Sequence, residues 1–270
     1  LADRSPLQRL SHNLGSFNLG WSTGKACGFF VGGVLVAQYG VTTALTLASF
    51  VAFVIFFVLP SDPPERTAKR STLGESTGVP AFDVRAPVFR SMAWIANGAA
   101  FGLGATLNHH YPRLLQEFGW RPHVFGVFLG GIFLVQSLTF LVLRRHPHLW
   151  RFNRMRLYAA QLLMILAVIA LPFADLPRVL LCALLFGLGL GICYHSSIYY
   201  SLHAGSSRGR NAGVHESLVG LGSMLIPFLG GWLAKATGLL AAPYMVAGLM
   251  VGFAMLAQEV AFQKGRPPQS

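Results

Sequence analysis

Eight runs of mostly apolar residues recur along the chain, at 13–37, 41–59, 91–111, 123–143, 157–173, 178–202, 211–234 and 242–262. At 17–25 residues each, the runs match the length range of helices that cross a bilayer hydrocarbon core of roughly 30 Å. A backbone inside hydrocarbon must satisfy its own hydrogen bonds, so the runs predict an all-α integral membrane protein. The composition leaves little room for an extramembrane domain: 53% of the 270 residues are hydrophobic and 11% charged, against about a quarter charged in a soluble domain.

The formal net charge of +12 would raise the question of nucleic acid in a soluble chain. Here the basic residues sit in short segments between apolar runs, where bilayer topology accounts for them without a nucleic-acid partner. Alternating those segments puts sixteen of the 21 Lys and Arg on one side, among them Arg66, Lys69, Arg70, Arg144 and Arg151. The other side holds Arg113, Arg121, Arg178 and Lys235, and Lys25 lies within a run. The positive-inside rule therefore predicts cytoplasmic termini in a plasma-membrane protein. Segment 60–90, rich in Pro, Ser, Thr and charge, reads as a cytoplasmic linker between a helical unit at 1–59 and another at 91–262, with a cytoplasmic tail at 263–270. Cys27, Cys182 and Cys193 lie in apolar runs without CxxC spacing, so neither a disulfide framework nor a metal site is expected, and no cofactor. The chain opens at Leu1 with neither Met nor a leader ahead of its first apolar run, which predicts an N-terminally incomplete chain.

Shifting the sequence by 198 positions lays the first run on the seventh. Asn13 then falls on Asn211, Gly15 on Gly213, Gly24 on Gly222, Phe30 on Phe228, Gly32 on Gly230, Gly33 on Gly231, Leu35 on Leu233 and Gly40 on Gly238. The offset covers six helices with their loops, so the repeating unit is a six-helix bundle in parallel orientation. Two such bundles, a cytoplasmic linker and cytoplasmic termini resemble the major facilitator superfamily of secondary transporters. The resemblance covers the whole chain. It implies the major facilitator fold, with the last two helices of the N-terminal six-helix bundle, the complete C-terminal six-helix bundle, and four helices upstream.

The sharpest motif resembles the family's antiporter signature in the fifth helix, G-x8-G-x3-G-P-x2-G-G. Gly15, Gly24, Gly28, Gly32 and Gly33 stand at that spacing, with Phe29 in place of the proline. The copy in 211–234 keeps Gly213, Gly222, Gly230 and Gly231 and supplies Pro227, with Ile226 in place of a glycine. Physically, Gly24, Gly28 and Gly32 at i, i+4 and i+8 predict a groove on one helix face where another backbone approaches closely, for packing or for gating.

Polar groups within spans are costly and are read as functional. Lys25 lies near the middle of its span and shares a face with Asn18 and Trp21, offering a ligand a cation, an amide and an aromatic wall; the structural alternative pairs it with a carboxylate of the helices expected upstream. Asn97, Gly104 and Asn108 form one stripe in 91–111, and 178–202 ends in a polar stretch holding Tyr194, His195 and Tyr199. The resemblance implies that these two helices, the seventh and tenth of the family, line a central cavity. His109, His110 and Tyr111 read as interfacial groups, and Gln136 and Gln161 as inter-helix hydrogen-bonding groups. Glu216 beside His215 is the pairing a proton-coupled carrier needs. The competing reading puts Glu216 in the first turn of its helix, complementing the dipole. Glu259 is expected to meet Lys264 or headgroups.

The sequence thus predicts a secondary transporter, not an enzyme. It moves a small organic solute by alternating access and working as a monomer when full length, with proton-coupled efflux by antiport favoured over uptake by symport. A polytopic enzyme built on the histidines is disfavoured, because adjacent His109 and His110 point about 100° apart on a helix. A receptor on the same fold is the further alternative.

Overall fold

The computed structural model describes residues 7–58, 84–173, 175–203 and 208–265, and the regular elements among them are helical. In order they are α1 (Leu7–Val58), α2 (Ala86–Glu117), α3 (His123–Arg145), α4 (Arg154–Ala170), α5 (Leu176–His203), α6 (Arg208–Thr237) and α7 (Ala242–Lys264), with 3-10 turns at Pro147–Leu149 and Leu171–Phe173. Most of the linker expected at 60–90, and the tail past Gly265, lie outside the described residues.

With 52 residues, α1 would run about 78 Å if straight, more than twice a bilayer's hydrocarbon. Its backbone leaves the helical region at Gly40, with φ 81° and ψ 169°, so α1 is two helices meeting at a kink, matching the spans expected at 13–37 and 41–59. Gly238, the repeat partner of Gly40, likewise has a left-handed φ of 72° and follows the end of α6. Six helices among the described residues are long and apolar enough to cross a membrane, the first of them covering both halves of α1. The remaining expected span is α2, whose Asn97, Asn108, His109 and His110 dilute its apolar character. It starts at Ala86, ahead of the expected edge, because Pro87 suits the first turn of a helix. The start of α4 is capped by Asn153, whose Oδ1 accepts from the Arg156 amide at 3.3 Å.

The packing centres on α2, which touches α5, α6 and α7; α3 lies between α1 and α5, and α4 between α5 and α7. A buried α2 face of Met92, Ala96, Ala100, Leu103 and Leu107 forms the core with Ile132, Met164 and Phe186. Glycine seams set the spacing. At Gly222, a Cβ would run into the Gly98 carbonyl, and at Gly102 it would come 2.6 Å from the Gly222 oxygen. A Cβ at Gly230 would lie 2.8 Å from Pro243 Cα, and one at Gly231 3.1 Å from the His110 ring. Pro227 between them is buried. On α5, Gly187 and Gly191 abut α3, while Gly189 abuts Ala160 and Met164 of α4.

The α1 ladder behaves differently from its copy in α6. Gly33 meets Gly126 of α3, where a Cβ would lie 2.9 Å from the partner Cα, and Gly15 meets the Arg144 side chain. At Gly24, Gly28 and Gly32, however, a Cβ would meet nothing within 4 Å. The close approach expected along that stripe is therefore absent among the described residues. The face of α1 turned to α3 carries Gly33, Phe29 and Phe30, roughly a quarter-turn away from the stripe. Between Val41 and Val58, every side chain but Ala44 is exposed, and most are large and apolar.

These seams predict opposite outcomes for one substitution at two ladder positions. Gly222→Leu should destabilise the protein in detergent by about 1–3 kcal/mol or more through overpacking. Gly28→Leu should leave the melting temperature nearly unchanged. Equal losses in thermal unfolding would contradict this packing.

Candidate functional site

A cavity of about 290 Å³ opens where α1, α2, α3, α5 and α6 meet, and its wall includes Lys25, Gly104, Asn108, His109, Phe133 and Ser223. Gly104 leaves room for it, since a Cβ there would reach only 3.9 Å from the Phe186 ring. Lys25 enters from α1, its Nζ 4.3 Å from the Trp21 ring centre and 4.9 Å from that of Phe133. Two aromatic faces thus hold the ammonium by its attraction to their π-electrons. Ser22 of α1 anchors the same seam, sharing a 2.7 Å hydrogen bond with Ser137 of α3.

Behind Lys25 an aromatic stack runs away from the cavity. Trp21 lies nearly parallel to Tyr194 of α5 at 5.3 Å between centroids. Tyr194 also meets Phe101 of α2 at 5.6 Å and Phe140 of α3 at 6.0 Å, and it stands edge-to-face with His215 of α6 at 5.3 Å. His215 is fully buried; its Nδ1 shares a 2.8 Å hydrogen bond with Ser197 Oγ, and its Nε2 lies 3.7 Å from Glu216 Oε1. The Glu216 side chain is 68% exposed, so the stack leads from the cavity to a carboxylate open to the surroundings. Because α6 starts at Arg208 and its first turn holds no acid, Glu216 sits two turns in, and the dipole-complementing reading fails on position.

The residues selected from the sequence therefore divide. Lys25 and Asn108 line the cavity, Trp21 and Tyr194 form the stack behind it, and His215 and Glu216 close its far end. Asn18 and Asn97 are buried elsewhere in the packing, with no hydrogen-bond partner for either amide among the described residues. His195 and Tyr199 do not face the cavity. Each successive helical residue turns about 100°, so Tyr194 points at α1 and α6 while His195 and Tyr199 meet Trp150, at 4.9 and 4.7 Å.

Among the other polar groups, Tyr111, Glu259 and Gln136 differ from expectation, while Gln161 meets it. Tyr111 is buried against Phe125 and Phe128 instead of lying at an interface, and the His110 ring contacts the Pro227 carbonyl oxygen at 3.0 Å. Glu259 takes Arg154 at 2.8 Å and the Tyr158 hydroxyl at 2.9 Å, not Lys264, because α4 brings both alongside α7. Gln161 exchanges hydrogen bonds with Gln258 across the α4–α7 contact, at 3.0 and 2.7 Å, whereas buried Gln136 has no partner among the described residues. Sequence reasoning passed over Phe133 and Phe140 and took in Ser197 only as part of the polar end of 178–202. Phe133 and Phe140, seven apart on α3, were available as a stripe, but only the fold brings Ser197 to His215.

A family model described as Major Facilitator Superfamily matches residues 1–213. No curated protein sequence matches the chain.

The two buried glutamines predict contrasting costs. Gln161→Leu leaves Gln258 Oε1 without its donor, while Nε2 keeps the Ala254 carbonyl, and should destabilise by about 1–3 kcal/mol, whereas Gln136→Leu strands no partner among the described residues and should be neutral or stabilising. Thermal unfolding of the two variants side by side checks the contrast.

Proposed function

The chain belongs to the Major Facilitator Superfamily, a family of membrane transporters and not of enzymes, and from that premise we propose that it is a proton-coupled exporter of a small organic solute. As a multi-pass protein of the bilayer with a small-molecule substrate, it exchanges solute for protons by alternating access. It works in the plasma membrane, as a monomer, with the linker and C-terminus in the cytoplasm, where the basic segments lie.

The observation that carries this reading is the unbroken stack from Lys25 through Trp21, Tyr194 and His215 to Glu216. It joins a cavity of solute size to an exposed carboxylate and runs through α1, α5 and α6. A proton on Glu216 changes the charge facing His215, and the packed rings behind offer a mechanical path to the cavity wall. Coupling of this kind needs contiguous groups with two arrangements, and the stack supplies the contiguity. Lys25, Asn108 and Ser223 are the groups assigned to the solute. Asn18, Asn97, His195 and Tyr199 are assigned to the packing that holds the helices around it.

Uptake by symport is the second reading, favoured by Phe29. That residue replaces the proline of the antiporter signature, and its ring stacks on Phe133 at 5.4 Å, where it serves as a packing group.

Everted vesicles carrying the protein, acidified inside and followed with a pH-sensitive dye, test the proposal. One solute of a panel should collapse the gradient, and Glu216→Gln should abolish the collapse. A collapse that survives Glu216→Gln removes that carboxylate from coupling. Proton uptake together with solute in right-side-out vesicles, with no response in everted ones, establishes symport instead.

A further inference from the structure

We propose that the cavity at Lys25 is an anion site, and that the solute carried is an amphipathic organic anion, a carboxylate on a compact apolar body. This rests on the transporter reading above and names its substrate class.

The argument begins with charge balance. Lys25 lies in the middle of a span, where an ammonium without a counter-charge is costly. Two ring faces replace part of its hydration, and neither carries a formal negative charge. The described residues include four acids, and none reaches Lys25. Asp175 pairs with Arg178 at 3.8 Å, Glu259 with Arg154 at 2.8 Å, Glu216 lies beside His215 at the far end of the stack, and Glu117 is exposed at the end of α2. The cavity that receives the ammonium is otherwise apolar over most of its wall, with Phe101, Ile132, Phe186 and Leu190, while Asn108 and Ser223 offer hydrogen bonds.

A carboxylate fits these groups together. It accepts a charge-assisted hydrogen bond from Lys25 in a site of restricted water, and it can accept further bonds from the Asn108 amide and the Ser223 hydroxyl. The aromatic and aliphatic wall takes the apolar body. A neutral amide of the same shape keeps the wall and forfeits the ion pair, and an organic cation meets repulsion from Lys25. Charge movement follows: in antiport, the entering proton and the departing anion both carry positive charge inward, so the membrane potential drives export alongside the pH gradient.

The test uses the purified full chain in lipid nanodiscs and three probes of matched shape, 3-phenylpropionate, 3-phenylpropanamide and 3-phenylpropylammonium, with binding read by calorimetry. The carboxylate should bind about tenfold tighter than the amide, the scale of one hydrogen bond to a charged group, and the ammonium most weakly. Lys25→Gln should erase the preference, and Lys25→Arg should keep it. Ser223→Glu, which supplies a carboxylate from the protein itself, should erase it too and serves if Lys25→Gln does not fold. Equal binding of carboxylate and amide, tighter binding of the ammonium, no binding of the carboxylate, or a preference that survives Lys25→Gln overturns the proposal. Proton-linked flux of a neutral or cationic solute in the vesicle assay would overturn the anion site and keep the transporter. Anion binding without any flux would do the reverse.

Discussion

Backbone-to-backbone contact at glycine governs the rest of this molecule. Lipid tails are as apolar as leucine, so helices gain little by hiding apolar side chains from them and associate through close packing instead. The closest approaches here are Gly222 on Gly98, Gly33 on Gly126, and the faces of Gly187, Gly189 and Gly191 that let α5 slot between α3 and α4. With those backbones fixed, the rings they carry have few places to go. Trp21, Phe101, Phe140 and His215 arrive around Tyr194 from four different helices, and the cavity is the space this arrangement leaves on the α2 side of Lys25.

The site combines two polar devices with an aromatic connection between them. At one end a cation sits on aromatic faces in a largely apolar cavity; at the other a buried imidazole, oriented by Ser197, adjoins an exposed carboxylate. The connection is stacked rings, which transmit displacement. In the coupling proposed above, a proton taken up at Glu216 acts on the cavity through the position of Tyr194 and Trp21, and the chemistry at the two ends stays separate.

Much of the architecture was legible in the sequence because it follows from local pattern. Apolar runs gave the spans, and the repeat paired Gly40 with Gly238, both of which have left-handed backbones. The face shared by Trp21 and Lys25 and the stripe of Gly104 and Asn108 are likewise properties of single helices, and the fold keeps them. What the sequence could not supply was which face meets which neighbour. The Gly24, Gly28 and Gly32 stripe is a groove on paper, but α1 turns Gly33, Phe29 and Phe30 toward α3 and leaves the stripe uncovered among the described residues. Asn97 shares a stripe with Asn108, yet it is buried where the packing closes while Asn108 reaches the opening. The contact of Tyr194 with His215 depends on where two separate helices lie, and no spacing within either helix encodes it.

The position of Lys25 has an electrical consequence. Its ammonium is held between Trp21 of its own helix and Phe133 of α3, so any sliding of α1 along α3 carries a full charge through the middle of the bilayer. A charge crossing the whole membrane exchanges about 2.3 kcal/mol with each 100 mV of potential, and a partial crossing exchanges that fraction. In the proposed cycle, the empty carrier therefore feels the membrane voltage directly, as a force on the helix that bears the lysine. An anion bound as proposed cancels that force, and the loaded carrier then reorients at a rate the voltage scarcely touches.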